Sequence, residues 1–227
     1  MKKNWFWIVL AGAILIVVSP VILLLLAIIT GTGGHYKAPS ESMAPAINVG
    51  DHFFVNKMKY RFSDTNVPMR GDVVVFENPK TQIVMIKRVV GLPGDTLKMQ
   101  SGRLFLNEKL VPRKKYDSFL YRDNRGGIIG VDKFEEDLPY SRKPHFIFEQ
   151  TDQGRLDNTT AFKVPIGHIF LMGDNRDNSA DSRAEYGPGY VPIENIIGEA
   201  SYIMFQSKMC KNEENLYCPP FRAMKKL

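Results

Sequence analysis

Cysteine and histidine are scarce in this chain, and neither is spaced for metal binding. The sequence has 2 cysteines and 4 histidines in 227 residues, and no C-x-x-C pair occurs. The histidines are far apart in the chain: His35, His52, His145 and His168. This excludes the usual zinc and thioredoxin-type motifs, so we expect no metal and no cofactor. We interpret each histidine as an ordinary surface or turn residue.

The two cysteines, Cys210 and Cys218, lie close together near the end of the sequence. A disulfide that closes a small loop fits an extracytoplasmic location. Two unpaired surface thiols fit the sequence equally well, so the sequence leaves both states open.

The charge is only mildly positive, with 30 basic and 24 acidic residues. The basic residues are scattered and form no face interleaved with stacking aromatics, which argues against a nucleic-acid partner. A small positive excess is typical of a protein that lies beside an anionic membrane.

The one long uncharged run is at the start of the chain. Residues 5–30 contain no charged side chain, and Lys2 and Lys3 precede them. As a helix this run would be about 39 Å long, which exceeds the roughly 30 Å of a bilayer core. We therefore predict one transmembrane anchor over residues 5–30, with residues 1–4 in the cytoplasm and the rest outside it. A cleaved secretory signal is the alternative, although its apolar region is normally shorter.

After the anchor, short apolar runs alternate with glycine and proline turns, and no repeat or long amphipathic helix is visible. This pattern predicts a mostly β fold with an antiparallel sheet as its core. Ser101-Gly102, between two short strand patterns, predicts a hairpin. Composition divides the chain into a core in two parts (residues 31–111 and 161–207), an inserted smaller β-rich subdomain (residues 112–160) and a tail (residues 208–227).

Ser42 and Lys87 form the candidate catalytic pair. A serine hydroxyl is a weak nucleophile and needs a base, and a lysine can serve if burial lowers its pKa. Lys87 lies in an otherwise apolar strand pattern, where its neighbours on the same face are Met85 and Val89. The alternative is a lysine whose stem packs on a sheet edge while its amine reaches water. No serine is followed by lysine three residues later, which excludes the penicillin-binding arrangement.

The densest polar run is residues 173–183, GDNRDNSADSR. A calcium loop counted from Asp174 fails, because Arg176 occupies the third position. Ser179 is placed to hold a neutral lysine amine, and Asp181 and Arg183 to pair with each other. The alternative is a hydrogen-bonded loop with only a structural role.

Four stretches resemble the motifs of bacterial type I signal peptidases, the membrane-bound serine–lysine leader peptidases, and they occur in the family's order. They are residues 39–45 (PSESMAP, followed by Gly50-Asp51), 70–76 (RGDVVVF), 86–95 (IKRVVGLPGD) and 173–183. Glu41 stands where the best-known form has glycine, and Ala46 where threonine is frequent, so both bear on substrate preference.

The resemblance implies a membrane-bound serine endopeptidase that removes signal peptides from exported preproteins through an acyl-enzyme. Ser42 is then the nucleophile and Lys87 its base, while Ser40 and the Ser42 backbone form the oxyanion hole. Ser179 orients Lys87, and Asp181 and Arg183 form a structural pair. Four apolar residues are expected to line shallow pockets for an A-x-A cleavage site: Met43, Ile47, Met85 and Ile86.

The location implied is the bacterial inner membrane, with a single pass and a catalytic domain on the periplasmic side. The implied partners are preprotein signal peptides, membrane phospholipid and Sec-type export machinery, and no nucleic acid. Two alternatives remain: a conjugation-type processing peptidase with one dedicated substrate, and a non-catalytic tethered β domain that binds export machinery.

Overall fold

The computed structural model describes residues 22–23, 25–26, 30–60, 67–123, 125–208, 210 and 213–227. Most of the predicted anchor, residues 5–30, lies outside these residues. Within the described ranges, no helix is both long enough and apolar enough to cross a bilayer.

Strands make up nearly all of the regular secondary structure in the described part of the chain. In chain order they are β1 (Gly33–Lys37), β2 (Asp51–Asn56), β3 (Val73–Glu77), β4 (Val84–Gly91), β5 (Thr96–Gln100), β6 (Arg103–Leu106), β7 (Lys109–Leu110), β8 (Arg113–Arg122), β9 (Ile128–Glu136), β10 (His145–Glu149), β11 (Phe162–Lys163), β12 (His168–Met172), β13 (Val191–Pro192), β14 (Ile196–Gln206), β15 (Leu216–Tyr217) and β16 (Lys225–Lys226). Two 3₁₀ turns, Arg176–Asn178 and Ile193–Asn195, are the helical elements described beyond residue 30. The prediction of a mostly β, antiparallel fold is confirmed.

The largest sheet has the order β1-β2-β14-β3-β4-β12-β13, with β16 added along β14. All its neighbouring strands are antiparallel. Strand β3 is central, and its run of apolar residues is buried on both faces. Val73 and Val75 pack into one hydrophobic cluster, while Val74 and Phe76 pack into another. A continuous apolar run, rather than an alternating one, is what a strand covered on both faces requires.

A second sheet has the order β10-β9-β8-β15. Strands β8, β9 and β10 come from the predicted insertion, residues 112–160. Strand β15 comes from the tail and pairs in parallel with β8, at Leu216 opposite Leu120. Strands β8 to β10 therefore form a sheet that a later part of the chain completes.

A third sheet, β11-β5-β6-β7, covers residues that the sequence assigned to the core. Its β5–β6 hairpin turns at Ser101-Gly102, as predicted, with φ of 47° and 68° at the two residues. Positive φ at both central residues is the geometry of the tight turn that joins antiparallel strands. Buried leucines, including Leu97 and Leu104, pack this sheet against Phe170 of β12.

The tail is bonded to both larger sheets. Cys210 and Cys218 form a disulfide, which settles the alternative that the sequence left open. Strand β15 then lies on β8, and β16 lies on β14, with Tyr202 opposite Lys226. The segment between them passes beside the loop that carries Ser42.

Leu104 and Leu110 test the packing of the third sheet. Leu104 is 2% exposed, whereas Leu110 on the neighbouring strand is 46% exposed. We expect Leu104→Ala to lower the free energy of unfolding by about 2–5 kcal/mol, because it leaves a cavity. The same change at Leu110 should shift it by only about 0.5 kcal/mol. Denaturant unfolding of the two variants measures the difference, and equal losses would contradict this packing.

Candidate active site

Ser42 lies in a tight loop, residues 38–50, between β1 and β2, which we call the Ser42 loop. The loop closes on itself, because the Gly50 N–H donates to the Ala38 carbonyl at 3.0 Å and the Ile47 N–H donates to the Met43 carbonyl at 2.8 Å. A loop fixed by its own hydrogen bonds holds the Ser42 side chain in one position.

Lys87 lies in the middle of β4, opposite Val74 of β3. Its Nζ is 2.7 Å from the Ser42 Oγ, and it also donates to the Ile86 carbonyl at 2.9 Å. Lys87 is 3% exposed and Ser42 is 8% exposed. The structure therefore brings the two predicted catalytic groups into direct hydrogen-bonding contact, and it excludes a Lys87 amine that reaches solvent.

Burial lowers the pKa of Lys87 from its ordinary value of 10.5 to about 8. The nearby carboxylates of Asp181 and Asp174 act in the opposite direction, since negative charge favours the ammonium form. Burial has the larger effect, so a substantial fraction of the amine is neutral near pH 8. A neutral amine at 2.7 Å is able to accept the hydroxyl proton of Ser42.

Two further polar groups lie beside the Ser42 hydroxyl. The Ser40 Oγ is 3.3 Å from the Ser42 Oγ. The backbone N–H of Ser42 donates to no acceptor in the described part of the chain. A hydroxyl and a backbone N–H next to a nucleophile are the kinds of donor that stabilise an oxyanion.

The polar loop of residues 173–183 packs directly against the Ser42 loop. The Asn175 N–H donates to the Ser42 carbonyl at 3.2 Å, and the Asn175 side-chain amide donates to the Glu41 carbonyl at 3.3 Å. A Cβ added to Gly173 would collide with the Ser42 carbonyl and with the Ser179 hydroxyl. Glycine is needed at this position because the two loops approach each other so closely.

Asp181 and Arg183 form the pair that the sequence predicts. The two Asp181 oxygens accept from Arg183 Nε at 3.0 Å and from its terminal nitrogen at 2.9 Å. Asp181 also accepts from the Gly173 N–H at 3.0 Å. Burial by itself would raise the pKa of Asp181, but Arg183 and these N–H groups lower it overall. The carboxylate stays ionised and fixes both ends of the loop.

Ser179 is buried in the same loop, 5% exposed. Its hydroxyl makes no hydrogen bond to any residue that the structure describes, and so none to Lys87. Its predicted role in orienting the lysine therefore stays a prediction.

The four apolar residues predicted to line substrate pockets fall into two groups. Met85 and Ile86 of β4 are partly exposed beside Lys87. Met43 and Ile47 are 1% and 0% exposed and belong to the core cluster around Phe53 and Val55. The Ser42 loop turns back into the core after Ser42. These two side chains therefore pack into the core and do not face an open pocket.

Buried ion pairs around the site were not predicted from the sequence. Arg88, next to Lys87, donates to both oxygens of Asp174 at 2.7 and 2.6 Å. Arg176 is 1% exposed and pairs with Glu136 of β9. Each pair joins residues more than 35 positions apart, so no local pattern identifies it.

His145 corrects the expectation of four surface histidines. It is 7% exposed, and its Nε2 lies 3.5 Å from a Glu136 oxygen and 4.0 Å from an Asp174 oxygen, the carboxylates that pair with Arg176 and Arg88. Burial, followed by these two positive charges, lowers the pKa of His145 well below its ordinary value, so the imidazole is neutral. Its position at the start of β10, which closes against the loop of residues 173–183, accounts for the burial.

One group of side chains has the composition of a metal site. Oxygens of Glu149, Asp157 and Asp177 lie within 4.8 Å of one another. Burial raises the pKa of Glu149 to about 9, so that carboxyl is protonated at neutral pH. Burial also raises the pKa of Asp157. Glu149 also lies 3.3 Å from the Arg113 guanidinium, and Asp177 accepts from the Gln150 and Thr151 N–H groups, so protein groups already contact two of the three carboxyls.

Arg222, in the tail, contacts the Ser42 loop, and no pattern in the sequence predicts this contact. Its guanidinium donates to the Pro45 carbonyl at 2.9 Å and to the Ala46 carbonyl at 2.9 Å, and it pairs with Asp51. Asp51 is 0% exposed. The tail thus holds the Ser42 loop through two carbonyls and one carboxylate.

Arg222→Gln tests this contact. The change leaves Asp51 buried without its cation, and breaking a buried ion pair on one side typically lowers the free energy of unfolding by about 3–5 kcal/mol. We expect a loss of this size in denaturant unfolding. Arg125→Gln, at an exposed position that forms no ion pair with any described residue, is the control and should change little. The double variant Arg222→Gln, Asp51→Asn should recover part of the loss. Equal stability of Arg222→Gln and the control would contradict a structural role for the pair.

The site as described matches one mechanistic class. A serine hydroxyl in contact with a buried, partly neutral amine is the arrangement of enzymes that attack acyl groups through an activated serine. A family model described as "Signal peptidase, peptidase S26" matches residues 8–205. This chain belongs to that family, and the resemblance noted in the sequence is confirmed.

Individual relatives carry the corresponding names. The chain is 38% identical over 199 residues to a signal peptidase I of Pseudomonas aeruginosa, covering 80% of this chain and 68% of the relative. It is 34% identical over 197 residues to a signal peptidase I of Rickettsia typhi, covering 77% and 72%. The crystal structure of a signal peptidase I from Enterococcus faecalis aligns with 60% of this chain and 97% of its own, at 23% identity and a TM-score of 0.35.

Proposed function

We propose that this protein removes signal peptides from exported preproteins, with Ser42 as nucleophile and Lys87 as general base. The observation that carries the proposal is the 2.7 Å contact between Lys87 Nζ and Ser42 Oγ in a buried site. A lysine placed there for stability alone would be unfavourable, since burial disfavours its charge.

The proposed reaction has two halves. Lys87 accepts the proton of Ser42 while the serine oxygen attacks the carbonyl carbon of the scissile bond. The resulting ammonium then gives that proton to the leaving amine, which releases the mature protein and leaves an ester on Ser42. Water, deprotonated in turn by Lys87, hydrolyses the ester and releases the signal peptide.

The negative oxygen of each tetrahedral intermediate needs donors that are already in place. The Ser42 N–H and the Ser40 hydroxyl, 3.3 Å from the Ser42 oxygen, are the two that we assign. Such donors act on charge that appears only in the transition state, and each is worth about 10²–10³ in rate in comparable enzymes.

The surroundings of Lys87 suit both directions of proton transfer. Burial favours the neutral amine, which accepts the Ser42 proton. Asp181 and Asp174 stabilise the ammonium form, which gives the proton to the leaving amine. A catalytic pKa near the working pH makes both transfers efficient. The Asp181–Arg183 pair holds this environment, and Ser179 is assigned to orient the amine once substrate is bound.

We assign Met85 and Ile86 to the surface that receives the residues before the cleaved bond, which fits small side chains of the A-x-A type. Residues 5–30 are assigned to a single membrane anchor that places the site near the bilayer, with the catalytic domain on the extracytoplasmic side. Membrane phospholipid and Sec-type machinery are the partners that this location implies.

Two substitutions test the proposed pair. Ser42→Ala and Lys87→Met should each reduce preprotein cleavage by about 10⁴-fold or more, as loss of one member of a catalytic unit does elsewhere. The controls are Ser118→Ala and Lys163→Met, at exposed positions. The full chain in detergent is incubated with a preprotein, and mass spectrometry identifies the new N-terminus. Circular dichroism verifies that each variant is folded.

Near-normal cleavage by either Ser42→Ala or Lys87→Met would overturn the mechanism. A panel of unrelated preproteins, tested with the unmodified chain, separates a general signal peptidase from a peptidase dedicated to one substrate.

The pH dependence gives a second test. Because the pKa of Lys87 is lowered to about 8, the amine is protonated below that pH and cannot accept the Ser42 proton. We expect kcat/KM to fall about tenfold for each unit of pH below that value, and to level off above it. A profile measured with a peptide substrate that has no titratable side chain checks this. A rate that stays constant from about pH 6 to about pH 9 would show that Lys87 is not the base.

A further inference from the structure

An open cavity lies behind the Ser42 loop. Its volume is about 350 Å³, and most of its lining comes from Pro45 and Ala46 of the Ser42 loop, the segment that enters β10, and the tail, with single residues from β4 and β9. It does not include Ser42 or Lys87, so it is separate from the proposed catalytic pair.

The lining of this cavity is strongly basic. Among the described residues, no aspartate or glutamate side chain lines it. Six cationic side chains do: Arg88, Lys133, Lys143, Arg222, Lys225 and Lys226. Arg88 and Arg222 are already paired, with Asp174 and Asp51. The four lysines form no ion pair with any residue in the described ranges. The cavity thus brings four lysine ammonium groups together, none of them held in an ion pair with a described residue.

The lysines come from separate elements that the fold brings together. Lys133 belongs to β9, Lys143 to the segment before β10, and Lys225 and Lys226 to β16. Lys133 is held in place over the rings of Tyr116 and Phe146, at 4.8 and 4.0 Å from their centroids. A cation already held on aromatic faces loses little further side-chain entropy when it binds an anion.

The positive charges around this cavity repel one another. Burial lowers the pKa of Lys143, and Arg88, Lys226 and Lys225 lower it further. Burial and the positive charges of Arg222 and Lys133 likewise lower the pKa of Lys225. Like charges that repel one another at neutral pH would all be stabilised by one bound anion.

We propose that this cavity binds an anion of phosphate chemistry, with the four lysines as its charge partners. A single carboxylate would neutralise only one of the four, whereas a phosphate group offers several acceptor oxygens and up to two negative charges. The group is supplied either by a phospholipid headgroup or by a free phosphate compound.

The position of the cavity links such a ligand to the Ser42 loop. Arg222 lines the cavity and also donates to the Pro45 and Ala46 carbonyls. An anion there would stabilise the folded protein, including the tail that holds this loop, by an amount that grows with the logarithm of its concentration over its dissociation constant. The proposal is independent of the peptidase assignment, because binding is measured without substrate.

The test compares two charge variants with equal changes in net charge. The first is the triple variant Lys143→Gln, Lys225→Gln, Lys226→Gln. The control is Lys98→Gln, Lys109→Gln, Lys163→Gln, at three exposed lysines on the third sheet. The full chain in non-ionic detergent is titrated calorimetrically with inorganic pyrophosphate and with dioctanoyl phosphatidylglycerol. Dioctanoyl phosphatidylcholine, which carries no net charge, is the lipid control.

We expect the unmodified chain and the control variant to bind at least one phosphate probe saturably, and the triple variant to bind it about tenfold more weakly or worse. Binding of pyrophosphate alone identifies a free anion as the ligand, and binding of phosphatidylglycerol in preference to phosphatidylcholine identifies a headgroup. If neither probe binds saturably, or if the triple variant and the control variant bind with equal affinity, the proposal is overturned.

Discussion

The burial of one amine against one hydroxyl is the constraint on which the rest of this structure depends. Lys87 is buried, so its charge is disfavoured, yet its Nζ is kept 2.7 Å from the Ser42 Oγ. Three elements must meet for this to happen: the Ser42 loop, strand β4 and the loop of residues 173–183. The core packing around β3 and the Asp181–Arg183 pair both fix the positions of these elements relative to one another.

The large number of buried arginines follows from the same constraint. Loops that carry polar groups into a core need partners for them, because an unpaired buried charge is strongly unfavourable. Arg88, Arg176, Arg183 and Arg222 each pair with a buried carboxylate, and Arg183 and Arg222 also donate to loop carbonyls. They fix the backbone around Ser42, and two of them also line the basic cavity behind it.

Much of the fold and part of the site were predictable from the sequence, for local reasons. Strand patterns, the Ser101-Gly102 hairpin and the apolar setting of Lys87 depend on neighbours in the chain, which a sequence displays directly. Arg222 with Asp51, Arg88 with Asp174 and the burial of His145 depend on residues far away in the chain. Met43 and Ile47 show the reverse error: their position beside Ser42 suggested a substrate surface, but the turn of the loop directs them into the core.

By itself, the sequence determined the chemistry available to this protein: a serine, a lysine in an apolar strand, a polar loop with a fixed order of residues, and a long uncharged run before them. The tertiary structure alone decided that the amine is buried and touches the hydroxyl, and that the tail crosses the insertion to hold the Ser42 loop. The physical reason is that residue type and local pattern are properties of neighbouring positions. Burial, pKa and charge pairing arise only when distant segments exclude water from one another.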